Sequence, residues 1–319
     1  MPCPSFICTG FQKCGTTTLY EILRQHPDVE LCRDVKEPMY YRIPVISRIG
    51  NRRYYEKRYF GHIGPDDRHV LGEVNAGLNF DACADKIGRD FPQETKLLFL
   101  MRNPADRTYS AYKYFLARGF LPGHTVKNDL RLGHAAGFDS YVHEVLDNPR
   151  TRSAVMKHRF HYLVFSQSNY AHCIREYLDR FPKENMEFVF FEEFVKDQHQ
   201  SCRKIYQFLG LSDSDEIDYD RRFNENTERA RSAMHSHLLL IAKGGRYAFL
   251  EIMAMDYWFP AFARRYRRWY DKVRDKCILE DTDHSKMLPE TRTYLEEYFE
   301  EGVRDLETIT GRNLKELWF

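Results

Sequence analysis

Hydrophobic and polar positions fall into two alternating kinds of block along the first third of the chain. Short continuous apolar runs come first: Phe6-Ile7-Cys8, then Val70-Leu71-Gly72, then Leu97-Leu98-Phe99-Leu100-Met101. Each is bounded by turn-forming residues and is too short for a helix, which marks buried strands. Between them, apolar residues recur at helical spacing, as at Leu19, Ile22 and Leu23. The pattern predicts strands over 5–10, 69–74 and 96–101, and helices over 16–26, 80–91 and 104–118. Helices near 138–147 and 168–181, a strand over 187–191 and a helix over 198–209 follow. Alternating β and α blocks imply an α/β protein with a central parallel sheet and helices on both faces. Residues 119–136 carry weak periodicity and read as a loop over a cleft; the acidic stretch 212–220 reads as a solvated connector. With no internal repeat and no low-complexity tract, the 319 residues are expected to form a single domain over 1–319.

The junction between the first strand and the first helix holds the most chemistry. Gly10-Phe11-Gln12-Lys13-Cys14-Gly15-Thr16-Thr17-Thr18 is a glycine-bounded loop at a helix start. Such a loop aims backbone N–H groups at one point, where the helix dipole adds partial positive charge. Lys13 and the three threonine hydroxyls suit a phosphate-like anion. The spacing of Gly10 and Gly15 matches an NTPase phosphate loop, but Thr16 stands where that motif has lysine. The strand over 96–101 ends in Arg102-Asn103-Pro104, without the acid that NTPases use toward Mg²⁺. Asn103 suits a helix cap and Pro104 a first helical turn, and Arg102 with Ser110 can hold a second phosphate. A site offering cations and no carboxylate to phosphate is not built around a divalent ion.

These segments together resemble the sulfotransferase family that uses 3′-phosphoadenosine 5′-phosphosulfate (PAPS). The stretch Gly10 to Leu19 is similar to that family's 5′-phosphosulfate loop, and Arg102 to Tyr112 to its 3′-phosphate segment. Tyr170 to Leu211 resembles its helix–strand–helix unit, and Leu306 to Leu314 a common final helix. The resemblance implies a P-loop-like, three-layer α/β/α fold. It also implies PAPS as donor, with Lys13, Cys14, Gly15, Thr16, Thr17, Thr18, Arg102 and Ser110 binding it, joined by Arg229 and Arg231 from the late basic segment. Lys36-Glu37-Pro38-Met39-Tyr40-Tyr41 looks closest to the heparan-sulfate-type branch, which implies Glu37 as catalytic base and Lys13 stabilising the leaving group. The next block departs from that branch: it reads Gly72-Glu73-Val74-Asn75, lacking the branch's lysine and proline. Glu73 and Asn75 can reach an acceptor or satisfy loop backbone groups.

The implied activity is sulfuryl transfer to a hydroxyl. A carbohydrate acceptor is favoured by the Glu37 segment, and a small hydroxylated metabolite by the aromatic content of 15%. N-sulfation, a P-loop kinase and a non-catalytic polyanion-binding module stay open. A net charge of +1 gives no bias toward nucleic acid. The eight cysteines include no Cys-x-x-Cys pair, and the histidines at 158, 161, 235 and 237 lack acids or cysteines at ligand spacing, so no metal site is expected. No run is long enough to span a bilayer, and no signal region or Asn-x-Ser/Thr sequon is present. A cytoplasmic protein is the expectation, with a trimmed Golgi luminal domain as the alternative. The stretch 247–274 joins aromatics to Arg264, Arg265, Arg267 and Arg268. A solvated helix packing one aromatic face, an acceptor wall and a membrane-surface element are all compatible with it.

Overall fold

The structure, a computed structural model, describes residues 3–32, 36–38, 40–42, 52–64, 67–79, 83–121, 128–129, 131–149, 152, 159–214, 216–219, 228–246, 259–280 and 283–319. The chain divides into two compact units. One is built from residues 1–103, 169–224 and 301–319, the other from 104–168 and 225–300.

The first unit contains a five-stranded sheet: β1 (Phe6–Cys8), β2 (Val29–Leu31), β3 (Val70–Val74), β4 (Lys96–Met101) and β5 (Met186–Phe190). The strand order is β2-β3-β1-β4-β5 and every pairing is parallel. Helices flank the sheet, as the alternation requires. β1 and β4 occupy the interior, and Phe6, Ile7, Cys8 and Leu97 to Met101 are fully buried. That explains their unbroken apolar runs: a strand covered on both faces has no polar side to alternate with. Residue Cys8 pairs with Val74 on one side and Leu98 on the other. Parallel pairing therefore brings the carboxyl ends of β3, β1 and β4 to one edge. The strand order reverses direction on either side of β1, which is where open α/β sheets bind ligands.

Two elements of this unit carry no sequence signal. β2 is a three-residue edge strand interrupted by the half-buried Glu30. The helix Arg52–Phe60 is rich in charge, and its buried side is supplied by Tyr55, Tyr59 and Phe60. Tyrosine counts weakly as apolar in a pattern, yet Tyr55 is fully buried. The predicted helix–strand–helix resolves as Tyr170–Leu178, β5 and Gln198–Leu209, with a short helix Phe191–Lys196 inserted. Asp197 caps the last of these by accepting from the Gln200 amide at 2.8 Å, and Gly210 ends it with φ +79°.

The second unit is mainly helical: Pro104–Ala117, His134–Leu146, Arg159–Ser166, Ala233–Arg246 and Pro260–Cys277, with an antiparallel pair β6 (Glu228–Ala230) and β7 (Ile278–Glu280). Its core is aromatic; Tyr112 packs on Phe138 at 5.1 Å between ring centroids, and Tyr141 lies against Phe165. Arg107 is fully buried here, donating from Nε to Ser168 Oγ at 2.6 Å and from Nη2 to the Leu163 and Val164 carbonyls. The long helix Pro289–Thr310 contributes residues 289–300 to this unit. The helix expected near 138–147 starts earlier, at His134 behind Gly133, whose φ is +80°. Pro260 begins a helix rather than interrupting one, because its fixed φ and missing N–H suit a first turn. Residues 122–127, His158, Asn224 to Thr227 and 247–258 lie outside the described residues.

Candidate active site

The glycine loop leaves β1 along hydrogen bonds to β4: Thr9 N–H donates to Leu98 O at 2.9 Å and Phe11 N–H to Leu100 O at 3.0 Å. Asn79 Nδ2 braces the other side, donating to Thr9 O at 2.6 Å. The turn is then made by two left-handed residues, Lys13 at φ +72° and Gly15 at φ +91°. Only glycine takes such a conformation without strain, so Lys13 holds an unfavourable backbone while carrying the loop's one ammonium group. Gly15 is the N-cap of the helix Thr16–Leu23 and gives it no side-chain cap. A helix start of this kind presents its first-turn amides and the positive end of its dipole at the loop. Thr16 is buried, and Thr17 and Thr18 are half-buried. The Cys14 side chain turns inward and is fully buried, its Sγ lying 3.9 Å from Tyr170 Oη.

Arg102 comes to the same place. Phe191 sits beneath both groups. A Cβ on Gly15 would lie 3.0 Å from the Phe191 ring, and the Arg102 guanidinium lies 4.7 Å from the centre of that ring. The Arg102 backbone is pinned by Tyr170 Oη, which donates to its carbonyl at 2.7 Å. Next to it, Asn103 N–H donates to Glu192 Oε1 at 2.8 Å and Asn103 Nδ2 to Trp318 O at 2.7 Å. Trp318 Nε1 closes the ring of contacts on Glu192 Oε2 at 2.9 Å. Asn103 therefore ties the end of β4 to two other segments of the unit. Pro104 opens the following helix, as expected.

Glu37 reaches the loop through its neighbour. Lys36 Nζ donates to Thr17 Oγ1 at 2.6 Å and lies 3.7 Å from Glu37 Oε1. Arg42 stands on the other side, 4.0 Å from Glu37 Oε2. Its guanidinium rests against Gly77, where a Cβ would come within 2.3 Å of Arg42 Cζ. Glu37 is 37% exposed at its side chain, open enough to receive a proton from an acceptor. Burial pushes the Lys36 ammonium below its ordinary range, while Glu37, Cys8 and Glu21 pull it back up. Arg33 lies outside the described residues.

Glu73, at the end of β3, is fully buried. Tyr55 Oη donates to its Oε2, and Asn75 Nδ2 donates to its Oε1 at 2.7 Å. Burial raises its carboxyl to about 7, against the opposing pull of those two hydrogen bonds. Asn75 also donates to Pro38 O at 2.7 Å and accepts from Gly77 N–H at 3.0 Å. Of the two roles open for Glu73 and Asn75, the loop-bracing one is what their contacts describe. Asn75 fixes the backbone just after Glu37.

The remaining sequence candidates belong to the second unit. Ser110 is half-buried, two turns into Pro104–Ala117. Arg229 is paired with Leu279 in the β6–β7 ladder, and its side chain lies outside the described residues. Arg231 is exposed, with its N–H on Cys277 O at 2.9 Å and its Nε on Ile278 O at 3.1 Å. His161 is buried against Tyr141, at 3.1 Å between Nδ1 and Oη. Sequence reading missed Phe191, Arg42, Tyr55 and Tyr170. An aromatic immediately after β5 was the available signal for Phe191; for the others the positions follow from tertiary packing alone.

The chain as a whole is similar to known proteins. A family model described as "Sulfotransferase domain" matches residues 4–239. Carbohydrate sulfotransferase 15 of Rattus norvegicus is 26% identical over 252 residues, covering 65% of this chain and 44% of that protein. Bifunctional heparan sulfate N-deacetylase/N-sulfotransferase 1 of Caenorhabditis elegans is 22% identical over 303 residues, covering 94% of this chain and 31% of that protein. The chain thus spans less than half the length of these curated relatives. The crystal structure of a sulfotransferase from Alicyclobacillus acidocaldarius matches in fold, with a TM-score of 0.60 and 21% identity over 99% of both chains.

Proposed function

Because the chain belongs to the sulfotransferase domain family, we propose that it moves the sulfuryl group of PAPS to a hydroxyl of a carbohydrate acceptor. The observation that carries this reading is the convergence on one sheet edge of a glycine-led helix start, the Lys13 turn and the Lys36–Glu37 pair bonded to Thr17. The loop amides with Thr16, Thr17 and Thr18 hold the donor's 5′ phosphate, and Arg102 takes the 3′ phosphate. The carbohydrate acceptor is supported by the Lys36-Glu37-Pro38 segment and by relatives whose names are carbohydrate and heparan sulfotransferases.

The chemistry is an in-line displacement at sulfur. Glu37 accepts the acceptor hydroxyl's proton as its oxygen forms the new S–O bond. The bond from sulfur to the bridging oxygen breaks, and 3′-phosphoadenosine 5′-phosphate (PAP) leaves with the added negative charge. Lys13 and the loop donors stabilise that charge where it develops; loss of one such donor costs ~10²–10³ in rate. Glu73 is unsuited to the proton transfer, since both its oxygens already accept internal hydrogen bonds.

The test is transfer from labelled PAPS to a panel of glycans, glycan amines, sterols and phenols, with Glu37→Gln alongside. The expected result is labelled glycan with wild type and a loss of about 10²–10⁴ with Glu37→Gln. PAP affinity should be nearly unchanged in that variant. Full turnover by Glu37→Gln would remove the proposed base, and transfer only to sterols or phenols would remove the carbohydrate acceptor.

A further inference from the structure

Lys36 is the feature of the site that the reaction just described leaves unused. A lysine serving only a carboxylate partner would cost least at the surface, where it keeps its hydration. Lys36 instead is largely buried, its side chain 23% exposed, in a place that works against its charge. Holding a desolvated ammonium is costly unless other groups need it. Two groups face it at short range. One is the Thr17 hydroxyl at 2.6 Å, in the first turn of the helix that begins at Gly15; the other is Glu37 at 3.7 Å. Among the described residues, Cys8 at the end of β1 and Glu21 on the same helix as Thr17 also act on it, and the Tyr20 ring lies 6.0 Å away. Glu37 faces Arg42 as well as Lys36, and is felt by Glu73 behind it.

The direction of the first contact matters. An ammonium has donors only, so Thr17 Oγ1 must accept from it. The threonine proton is thereby turned away from Lys36, and a hydroxyl that accepts a charge-assisted bond becomes a stronger donor itself. We propose that Lys36 is a positioning residue that couples the donor loop to the base, orienting the Thr17 hydroxyl toward the 5′ phosphate while holding the Glu37 carboxylate in reach of the acceptor. This inference rests on the reading of Glu37 and the glycine loop given above. It adds that one side chain serves both halves of the reaction, so that loss of Lys36 is felt at the donor loop and at the base alike.

Two double-mutant cycles test it. In the first, PAP affinity is measured by calorimetry for wild type, Lys36→Met, Thr17→Val and the pair. The expected result is non-additivity: each single change weakens binding several-fold, and the pair is little worse than either. In the second, turnover at saturating PAPS is measured for Lys36→Met, Glu37→Gln and their combination, with the same expectation. Lys36→Arg should recover part of both losses by restoring the charge. If Lys36→Met does not fold, as judged by circular dichroism, Lys36→Gln takes its place in both cycles. Additivity in either cycle overturns the coupling. Should Glu37→Gln alone keep full turnover, the base assignment fails, but the PAP cycle still reads the link between Lys36 and Thr17.

Discussion

Glu73 shows how much a single buried group can set. Its carboxyl is raised from 4.5 to about 7 by burial. Below pH 4.5 the group is protonated in both folded and unfolded chains and costs nothing. Between 4.5 and about 7 the unfolded chain ionises while the folded one keeps its proton, so stability falls as pH rises. Above pH 7 the fold carries a buried charge whose full cost is on the order of 3 kcal/mol, from 1.36 kcal/mol per pH unit. Glu73→Gln removes that slope. Urea unfolding from pH 4.5 to 8 should show the variant gaining up to about 3 kcal/mol on wild type as pH rises. At pH 5, where the folded carboxyl keeps its proton, acid and amide each offer Tyr55 and Asn75 one acceptor and one donor, so the two proteins should be about equally stable. Parallel curves for the two proteins would show that Glu73 is already ionised without penalty.

The decisive element is the turn between β1 and the helix Thr16–Leu23. Gly15 combines a left-handed φ with Phe191 packed against its open side. Gly15→Ala should destabilise the fold by roughly 1–2 kcal/mol from the backbone alone. It should also weaken PAP binding more than it weakens folding, since the loop and first-turn amides would be re-aimed; thermal unfolding and calorimetry on one preparation separate the two. Unchanged PAP affinity would mean that the amides do not hold the phosphate. This turn was legible in the sequence because glycines, lysine and threonines at fixed spacing leave few alternatives, and β1 and β4 were legible because continuous apolar runs mark strands buried on both faces. β2 and the helix Arg52–Phe60 were not. The first is too short to show a period, and the second buries tyrosines between charges. Within the candidate site, Lys13, Glu37 and Arg102 could be named as candidates from motif and resemblance. Phe191, Arg42 and the Lys36–Thr17 bond could not, since their meaning arises only when distant segments of the first unit meet.

Across the molecule, a net charge of +1 hides a local concentration of cations. Lys13, Lys36, Arg42 and Arg102 all belong to the first unit, on segments that meet at or beside its glycine loop. Positive charge comes from side chains, so PAP binding should be insensitive to EDTA. PAP at 100 times its Kd should stabilise the protein by about 2.7 kcal/mol, read as a rise in unfolding temperature. ATP, which lacks the 3′ phosphate expected at Arg102, should give a smaller rise. An EDTA-sensitive shift, or ATP matching PAP, would favour a Mg²⁺-dependent NTPase instead.

The first unit is assembled from three stretches of chain, and Asn103 is held by Glu192 and Trp318 from the second and third. During synthesis the ribosome delivers the glycine loop and Arg102 long before Trp318 exists. A nascent chain therefore carries the glycine loop and Arg102 while still lacking the carbonyl that Asn103 bonds. The backbone beside Arg102 is fastened on that side only after the third stretch has been made.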